Sequence, residues 1–217
     1  MDKNLDEAAT ALAHGGVVLY PTETLYALGC AASSVEAAAR VANLKGRPQS
    51  KPFPLIVADM PGLWSVVAPL PEALRADVLR LADAFWPGPL SVLLPTRPEL
   101  PPLVRDCEGY SSLRVSPHPT VQNLCRALAK LNPGVPAALV ATSANKSGLP
   151  ATALPGGLDP ALLAEVAACG GSALLEPPLP GGGAPSTLLR LTAPGQAQIL
   201  RQGAVPASAL AQVFTLA

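Results

Sequence analysis

Short apolar runs rich in Val, Ile and Leu alternate with Ala-rich amphipathic segments over the first two thirds of the chain. Apolar runs bounded by Gly or Pro are typical of buried strands, because those residues turn the backbone at the ends of the run. Towards the end of the sequence the strand-like runs cluster together. We predict strands at residues 17–20, 55–58, 90–95, 112–116, 138–143, 173–175, 187–192 and 198–203.

The amphipathic segments carry start and stop signals typical of helices. Ser34 can cap one helix, which Gly46 then ends. Pro71 suits a first helical turn, and Asp159 can cap a later helix. We predict helices at residues 5–14, 35–45, 71–84, 119–131, 159–168 and 206–213. This order predicts an α/β or α+β fold, an open mixed sheet flanked by helices, in a single domain over residues 1–217 without repeats or a linker.

Composition narrows the class of protein. Hydrophobic residues make up 49% of the chain and charged residues 14%, which excludes a disordered chain. Lys plus Arg and Asp plus Glu number 15 each, so the formal net charge is zero. Proteins that grip long nucleic acids usually carry a basic excess. Any cationic site in this chain is therefore expected to be local.

The N-terminal segment is acidic and helix-like, without the basic flank and apolar run of a signal peptide. No apolar run reaches the roughly 20 residues that span a bilayer. We therefore expect a cytoplasmic protein without membrane contact. Cys30, Cys107, Cys125 and Cys169 lack CxxC spacing, so we expect reduced, mostly buried thiols and no zinc site.

Hydroxyl groups follow the first predicted strand. Thr22, Thr24 and Tyr26 lie within the loop YPTETLYALGC. Loops at strand ends commonly bind ligands, so these side chains could line a small polar pocket. They could equally form turn hydrogen bonds with their own backbone.

Cations gather beside prolines after the second predicted helix. Lys45, Arg47 and Lys51 belong to the segment LKGRPQSKP. Proline reduces the entropy lost in fixing a chain, so the segment could hold a rigid fan of charges that suits a triphosphate. A solvated helix end is the alternative. The sequence contains no Walker A loop and no GxGxxG fingerprint.

Other polar residues lie close to predicted strands. Ser143 and Asn145 follow a strand, where an amide can bind ribose, base or phosphate, or can form an Asx turn. Arg114, within a strand, needs an anionic partner from the protein or from a ligand. Ser186 follows a glycine-rich loop, and Arg201 ends a strand.

The motifs that would carry hydrolase chemistry are missing. His14 and His118 have no adjacent nucleophile, and GxSxG does not occur. Glu23 is the only acid of the first loop, so no carboxylate pair is expected there.

Taken in order, these stretches resemble the YrdC-type threonylcarbamoyl-AMP synthases. The resemblance covers nearly the whole chain, and its diagnostic pairs are K-x-R at Lys45 and Arg47 and S-x-N at Ser143 and Asn145. The similar stretches are VVLYPTETLYALGC, LKGRPQSKP, FWPGPLSVLLP, SLRVSPHP, ATSANKSGLPAT, PSTLLRL and ILRQG.

The resemblance implies a YrdC-like twisted mixed sheet with a concave cationic cleft. The enzyme, a nucleotidyltransferase, would convert L-threonine, bicarbonate and ATP to L-threonylcarbamoyladenylate and pyrophosphate, for tRNA threonylcarbamoyl-adenosine synthesis. Its partners would be the downstream tRNA threonylcarbamoyl-transferase machinery and, weakly, tRNA. By motif, threonine would bind Thr24, Arg114 and Ser186. By motif, Lys45 and Arg47 would be the catalytic side chains. The side chains that bind ATP would be Arg47, Lys51, Ser143, Asn145 and Arg201.

The carbamate formed on threonine is already anionic, so the reaction needs positioning and charge neutralisation more than a strong base. Magnesium is expected on the phosphates, with no dedicated protein ligand. We expect the loop at residues 181–185 to close the cleft.

Three departures from the family stand out. Ala27 occupies a position that is glycine in many relatives, and the run PLIVA lacks a histidine found in longer members. Those longer members also add a C-terminal domain, for which 217 residues leave no room.

Three other classes of protein compete with the synthase. They are a paralogue with lost activity, a module of a larger carbamoyltransferase, and an RNA-binding or ribosome-maturation protein. The paired motifs argue against a paralogue with lost activity. The missing zinc-finger and acylphosphatase segments argue against a carbamoyltransferase module. Zero net charge and 4% aromatic content argue against the third.

Overall fold

A computed structural model of the protein describes residues 3–47, 51–177 and 182–217. These residues form two mixed β-sheets with helices packed against them. The strands are β1 (Val18–Tyr20), β2 (Ala27–Gly29), β3 (Leu55–Val57), β4 (Leu90–Pro95), β5 (Tyr110–Val115), β6 (Leu139–Val140), β7 (Thr142–Ser143), β8 (Ser172–Ala173), β9 (Thr187–Ala193), β10 (Gln196–Arg201) and β11 (Thr215–Leu216). The helices are α1 (Lys3–Ala13), α2 (Val35–Lys45), α3 (Met60–Val66), α4 (Glu72–Phe85), α5 (Pro119–Leu131), α6 (Pro160–Ala168) and α7 (Ala207–Leu210), with single 3₁₀ turns at Pro102–Val104 and Pro155–Gly157.

The smaller sheet has the order β7-β2-β1-β8, and the larger has the order β11-β10-β9-β4-β5-β3-β6. Both sheets mix parallel and antiparallel pairs; for example, β4 pairs antiparallel with β5 and parallel with β9. Neither strand order closes on itself, so the predicted open mixed α/β class flanked by helices is confirmed, although the strands form two sheets where one was predicted.

Local signals placed several helices correctly. Helix α2 begins after Ser34, whose hydroxyl accepts a hydrogen bond from the Ala37 amide, and ends at Gly46 with φ of 58°. The predicted bounds of α2 and α5 are confirmed, and α4 is displaced by one residue because Pro71 is its N-cap. The last helix is shorter than predicted, since regular turns stop at Leu210.

The single strand predicted at 138–143 was wrong. The chain forms β6 in the larger sheet, leaves it at Ala141, and forms β7 in the smaller sheet. The Ala141 amide donates to the Pro54 carbonyl at this break. A continuous apolar run gives no signal that the chain changes sheet, so the sequence pattern predicted a single strand.

Three further elements were not predicted. Strand β2 lies within the stretch taken as loop, α3 begins at its N-cap Asp59, and β11 adds an edge to the larger sheet. Strand β2 is only three residues long and is fully buried, so it shows no alternation of polar and apolar positions.

Apolar residues from both sheets and from the helices form two buried clusters. The four cysteines are free, but only Cys30 and Cys125 are buried, so the expectation of mostly buried thiols holds for half of them. Burial raises the pKa of both buried thiols to about 12, which keeps them protonated and unreactive.

Candidate active site

A cavity of about 340 Å³ opens between the two sheets. Its walls come from the loop after β1, strand β2, the segment after α2, strands β3, β4, β5, β9 and β10, and the segment that leaves β6 for β7. The lining residues are Thr22, Thr24, Leu25, Tyr26, Ala27, Arg47, Pro52, Pro54, Leu55, Ser91, Leu93, Ser112, Arg114, Ala141, Thr142, Ser143, Pro185, Ser186, Leu188 and Arg201.

Alternate residues of the larger sheet form one wall of this cavity. Successive side chains of a strand point to opposite faces, so Ser91 and Leu93 of β4 share a face, as do Ser112 and Arg114 of β5. Leu93 and Ser112 are paired across the two strands. A mixed polar and apolar wall results, with a buried guanidinium as its charged group.

Arg114 has a protein carboxylate as a partner. Its Nη1 lies 2.7 Å from Glu23 Oε1, and the same Nη1 donates a hydrogen bond of 3.0 Å to Thr24 Oγ1. The Ser116 hydroxyl donates to Glu23 Oε2 at 2.6 Å. Both charged side chains are less than a tenth exposed. The sequence had left open whether a protein or a ligand would supply this anion, and here Glu23 does.

A second cluster of hydroxyls and a cation lies on β4, β9 and β10. The hydroxyls of Ser91 and Ser186 share a hydrogen bond of 2.9 Å. Arg201 donates to the Ser186 carbonyl from Nε and Nη2, and to the Ser186 hydroxyl from Nη2 at 3.1 Å. Burial, and then the charge of Arg114, lowers the pKa of Arg201. Two guanidiniums therefore face one cavity.

The loop after β1, which carries Thr22, Thr24 and Tyr26, both forms turn hydrogen bonds and lines the polar pocket, the two alternatives that its sequence allowed. Thr22 Oγ1 accepts hydrogen bonds from the amides of Thr24 and Leu25, which is turn chemistry. Thr24 Oγ1 instead bonds Thr22 Oγ1 and accepts from Arg114. Tyr26 also lines the cavity, but its hydroxyl donates to the Glu176 carbonyl.

Arg47 lies at the rim of the cavity and fixes the bend that follows α2. Its Nε donates to the Lys51 carbonyl and its Nη2 to the Pro52 carbonyl, each at 3.1 Å. Its guanidinium also stacks over the Phe53 ring, 5.2 Å from the centroid. Lys51 is exposed and is not among the described residues that line the cavity. Residues 48–50 of the cationic segment lie outside the described residues.

Lys45 is 3% exposed and sits behind the cavity wall. Its Nζ donates to the carbonyl oxygens of Ser143 and Asn145 at 2.5 and 2.6 Å, and contacts Asn145 Oδ1 at 3.3 Å. An ammonium has three donors, so these oxygens use all of them. Burial, and then the charge of Arg47, lowers the pKa of Lys45 to about 8.

The S-x-N segment is held by this lysine. Ser143 lines the cavity, whereas Asn145 is outside the set of described lining residues. Asn145 Nδ2 donates to the carbonyls of Lys146 and Leu149, and its Oδ1 faces Lys45. The amide therefore shapes its own loop, as the Asx alternative had allowed.

Six of the nine residues predicted for the site line one cavity, and their direct contacts were not predicted. The residues in this group are Thr24, Arg47, Arg114, Ser143, Ser186 and Arg201. Lys45 and Asn145 support the wall, and Lys51 lies outside it. Sequence reasoning missed Ser91, Ser112 and the pairing role of Glu23. Period-two alternation within LSVLLP and SLRVS could have found the two serines.

The described residues do not support a hydrolase site, a metal site formed by protein side chains, or a membrane-spanning helix. His118 accepts the Thr120 amide at Nδ1 as the N-cap of α5, and its Nε2 has no hydrogen-bond partner among the described residues. No group of three or more His, Cys, Asp or Glu side chains in residues 3–47, 51–177 and 182–217 could hold a metal ion. Nor does any described helix have the length and apolar character to cross a membrane. The predicted closing loop at 181–185 includes residue 181, which is outside the described part of the chain.

Comparison with known proteins assigns a family. The model of the family Sua5_yciO_yrdC, described as "Telomere recombination", matches residues 10–203. The threonylcarbamoyl-AMP synthase of Nitrosococcus oceani is 41% identical over 143 residues, covering 66% of this chain and 71% of that relative. The synthase of Xanthomonas campestris is 37% identical over 165 residues, covering 75% and 82% of the two chains.

Solved structures agree on the fold. P. abyssi Sua5 in complex with L-threonine superposes with a TM-score of 0.79 and 26% identity, covering 98% of this chain and 58% of that one. E. coli YciO superposes with a TM-score of 0.71 over 94% of this chain, and at 22% identity it supports the fold alone. This chain therefore spans about three fifths of Sua5. The family match and the fold together establish that the chain belongs to the Sua5/YciO/YrdC family.

Proposed function

We propose that this chain is a threonylcarbamoyl-AMP synthase, an enzyme that joins L-threonine, bicarbonate and ATP into L-threonylcarbamoyladenylate and releases pyrophosphate. One observation carries the proposal: the three side chains expected for threonine line the same cavity of about 340 Å³ as three of those expected for the nucleotide, which are Arg47, Ser143 and Arg201. The relatives at 37–41% identity that carry this name support it.

L-Threonine would bind at the buried end of the cavity. Arg114 offers donors for the carboxylate, and Thr24 and Ser186 offer hydroxyls on either side. The P. abyssi Sua5 complex with L-threonine supports an amino-acid substrate for a fold of this kind.

The nucleotide would bind towards the α2 end of the cavity. Arg47 at the rim, together with the exposed Lys51 nearby in sequence, would meet the phosphates, and Ser143 would contact the nucleotide. Asn145 and Lys45 would act through the shape and charge of the wall behind Ser143. Arg201, bonded to Ser186, would reach the α-phosphate from the threonine side.

The reaction is a nucleotidyl transfer in two bond-forming steps. The threonine amine bonds to the carbon of bicarbonate with loss of water, which gives an anionic carbamate. A carbamate oxygen then attacks the α-phosphorus of ATP, the bond to the bridging β-phosphate oxygen breaks, and pyrophosphate leaves. Because the nucleophile is already an anion, Arg47, Arg114 and Arg201 assist by holding two anions together and neutralising charge.

Magnesium would enter the site bound to the phosphates of ATP. None of the described residues that line the cavity is acidic, so phosphate oxygens and water would supply its ligands, with no dedicated protein carboxylate. This donor set fits Mg²⁺, which commonly keeps several waters and binds through substrate phosphates. Bound there, the ion supplies further neutralisation of phosphate charge.

The product is a labile mixed anhydride, so a tRNA threonylcarbamoyl-transferase would have to consume it, with at most a weak tRNA contact by this chain. The alternative is a paralogue that acts as an RNA-binding or ribosome-maturation protein without synthase activity. Complete K-x-R and S-x-N pairs and a formal net charge of zero favour the synthase.

An ATP–pyrophosphate exchange assay tests the proposal. Exchange should require both L-threonine and bicarbonate, and omission of either should reduce it to background. Exchange that is independent of threonine, or no exchange with all substrates present, would refute the synthase.

A further inference from the structure

Arg114 uses only part of its guanidinium on the protein. Nη1 contacts Glu23 and donates to Thr24, while Nε and Nη2 have no hydrogen-bond partner among residues 3–47, 51–177 and 182–217. Nε and Nη2 form one edge of the planar group, and such an edge matches the two oxygens of a carboxylate. Which edge faces the cavity therefore depends on what holds Nη1.

Glu23 contacts Arg114 Nη1 from the side away from the cavity. Its side chain is 7% exposed and is not among the described residues that line the cavity, whereas Arg114 and Thr24 are. A carboxylate in that position is poorly placed to take a proton from a substrate amine. It is well placed to fix the rotation of the guanidinium.

Glu23 is itself anchored. The Ser116 hydroxyl donates to Oε2 at 2.6 Å, and Ser116 is fully buried just beyond the end of β5. Glu23 lies in the loop after β1 of the smaller sheet, while Arg114 is on β5 of the larger sheet. The ion pair thus joins the two sheets at the amino-acid end of the cavity.

We propose that Glu23 is a positioning residue that turns the Nε–Nη2 edge of Arg114 into the cavity, where this edge binds the carboxylate of the amino-acid substrate. The proposal rests on the proposed function for the identity of that substrate. It assigns Glu23 a role in amino-acid affinity and none in the transfer step.

Calorimetric titration of L-threonine into the full chain tests this role. Glu23→Gln keeps the shape and an acceptor but removes the charge that fixes Nη1, and it should weaken L-threonine binding about 10- to 100-fold. In the exchange assay KM for threonine should rise by a similar factor, while kcat at saturating threonine and KM for ATP stay within about threefold.

Two comparisons separate positioning from general loss of structure. L-Threoninamide lacks the carboxylate, so its weak binding should be the same in the wild-type protein and in Glu23→Gln. Glu176→Gln provides a control, because that carboxylate bonds Thr120 and has no contact with Arg114. It should leave threonine affinity unchanged.

The outcomes distinguish this proposal from the proposed function. If the wild-type protein binds no L-threonine, both proposals fall. If the wild type binds it and Glu23→Gln binds it equally well or more tightly, Glu23 merely offsets charge and the positioning role alone is overturned. Arg114→Lys gives a second test, since adding Glu23→Gln to it should cause no further loss; additive losses would also overturn the role.

Discussion

Lys45 shows how a single side chain can be identified from sequence and still be placed unexpectedly. K-x-R spacing predicted a cation at the phosphates, but its Nζ is enclosed by three oxygens of Ser143 and Asn145. A buried ammonium is tolerated only when its donors are satisfied, and this one is. Its direct role at the phosphates stays a prediction, whereas its support of the Ser143 wall is observed.

The lowered pKa of Lys45 gives a prediction for nucleotide binding. The pKa is about 8, so the charge is present below that pH and is lost above it. ATP affinity should therefore hold steady up to about pH 7.5 and fall as the pH rises through 8 to 9. In Lys45→Met the affinity should be low throughout and should not change over this range. A wild-type affinity that is flat between about pH 7 and 9.5 would contradict the prediction.

Arg47 carries a second prediction at this scale. Arg47→Ala removes the guanidinium at the rim of the cavity, and losing a charge-assisted hydrogen bond of about 1.5–3 kcal/mol should weaken ATP binding about 10- to 100-fold. Arg40→Ala is the matched control, because Arg40 lies on α2, shortly before the bend that holds Arg47, is exposed and donates to the Gly15 carbonyl. Equal ATP affinity in the Arg47 variant and the wild type, measured by calorimetry, would remove Arg47 from the site.

At the scale of elements, the crossing from β6 to β7 organises the cavity. The chain passes close to β2 there, and the Val140 carbonyl accepts the Tyr20 hydroxyl at 2.6 Å while its amide donates to the Cys30 carbonyl at 2.9 Å. Gly29 lies beneath this crossing. A Cβ at Gly29 would lie 1.8 Å from the Val140 carbonyl oxygen, so only glycine fits.

Gly29→Ala should therefore destabilise the protein strongly. Backbone would have to move to relieve the overlap, and the free energy of unfolding should fall by about 3 kcal/mol or more. Gly156→Ala is the matched control, since a Cβ there meets nothing within 4 Å. Thermal or denaturant unfolding of the two variants provides the measurement, and equal stability would mean that β2 and the crossing are further apart than described.

The same elements show what the sequence could predict. Capping residues and periodicity located α2 and α5 at both ends, because those signals are local. Strand β2 and the change of sheet at Ala141 were not predicted, because they depend on contacts with distant segments. Short, fully buried strands carry no alternating pattern from which their partners could be inferred.

At the scale of the whole molecule, folding brings together residues from distant parts of the chain. Sequence motifs named Thr24, Arg114, Ser186 and Arg201, and the structure places all four along one cavity. It could not be predicted that Glu23 pairs with Arg114, since these residues are separated in sequence and belong to different sheets. Motifs therefore identified the chemical groups, and the fold determines which of them touch.

If one cavity binds threonine, bicarbonate and ATP and joins them, the carbon of bicarbonate must appear in the product. The full chain is incubated with ATP, L-threonine and isotopically labelled bicarbonate, and the nucleotides are separated and analysed by mass spectrometry. We expect an adenylate that carries both threonine and the label, formed together with pyrophosphate. A threonyl adenylate without the label, or no adenylate in the presence of all three substrates, would contradict it.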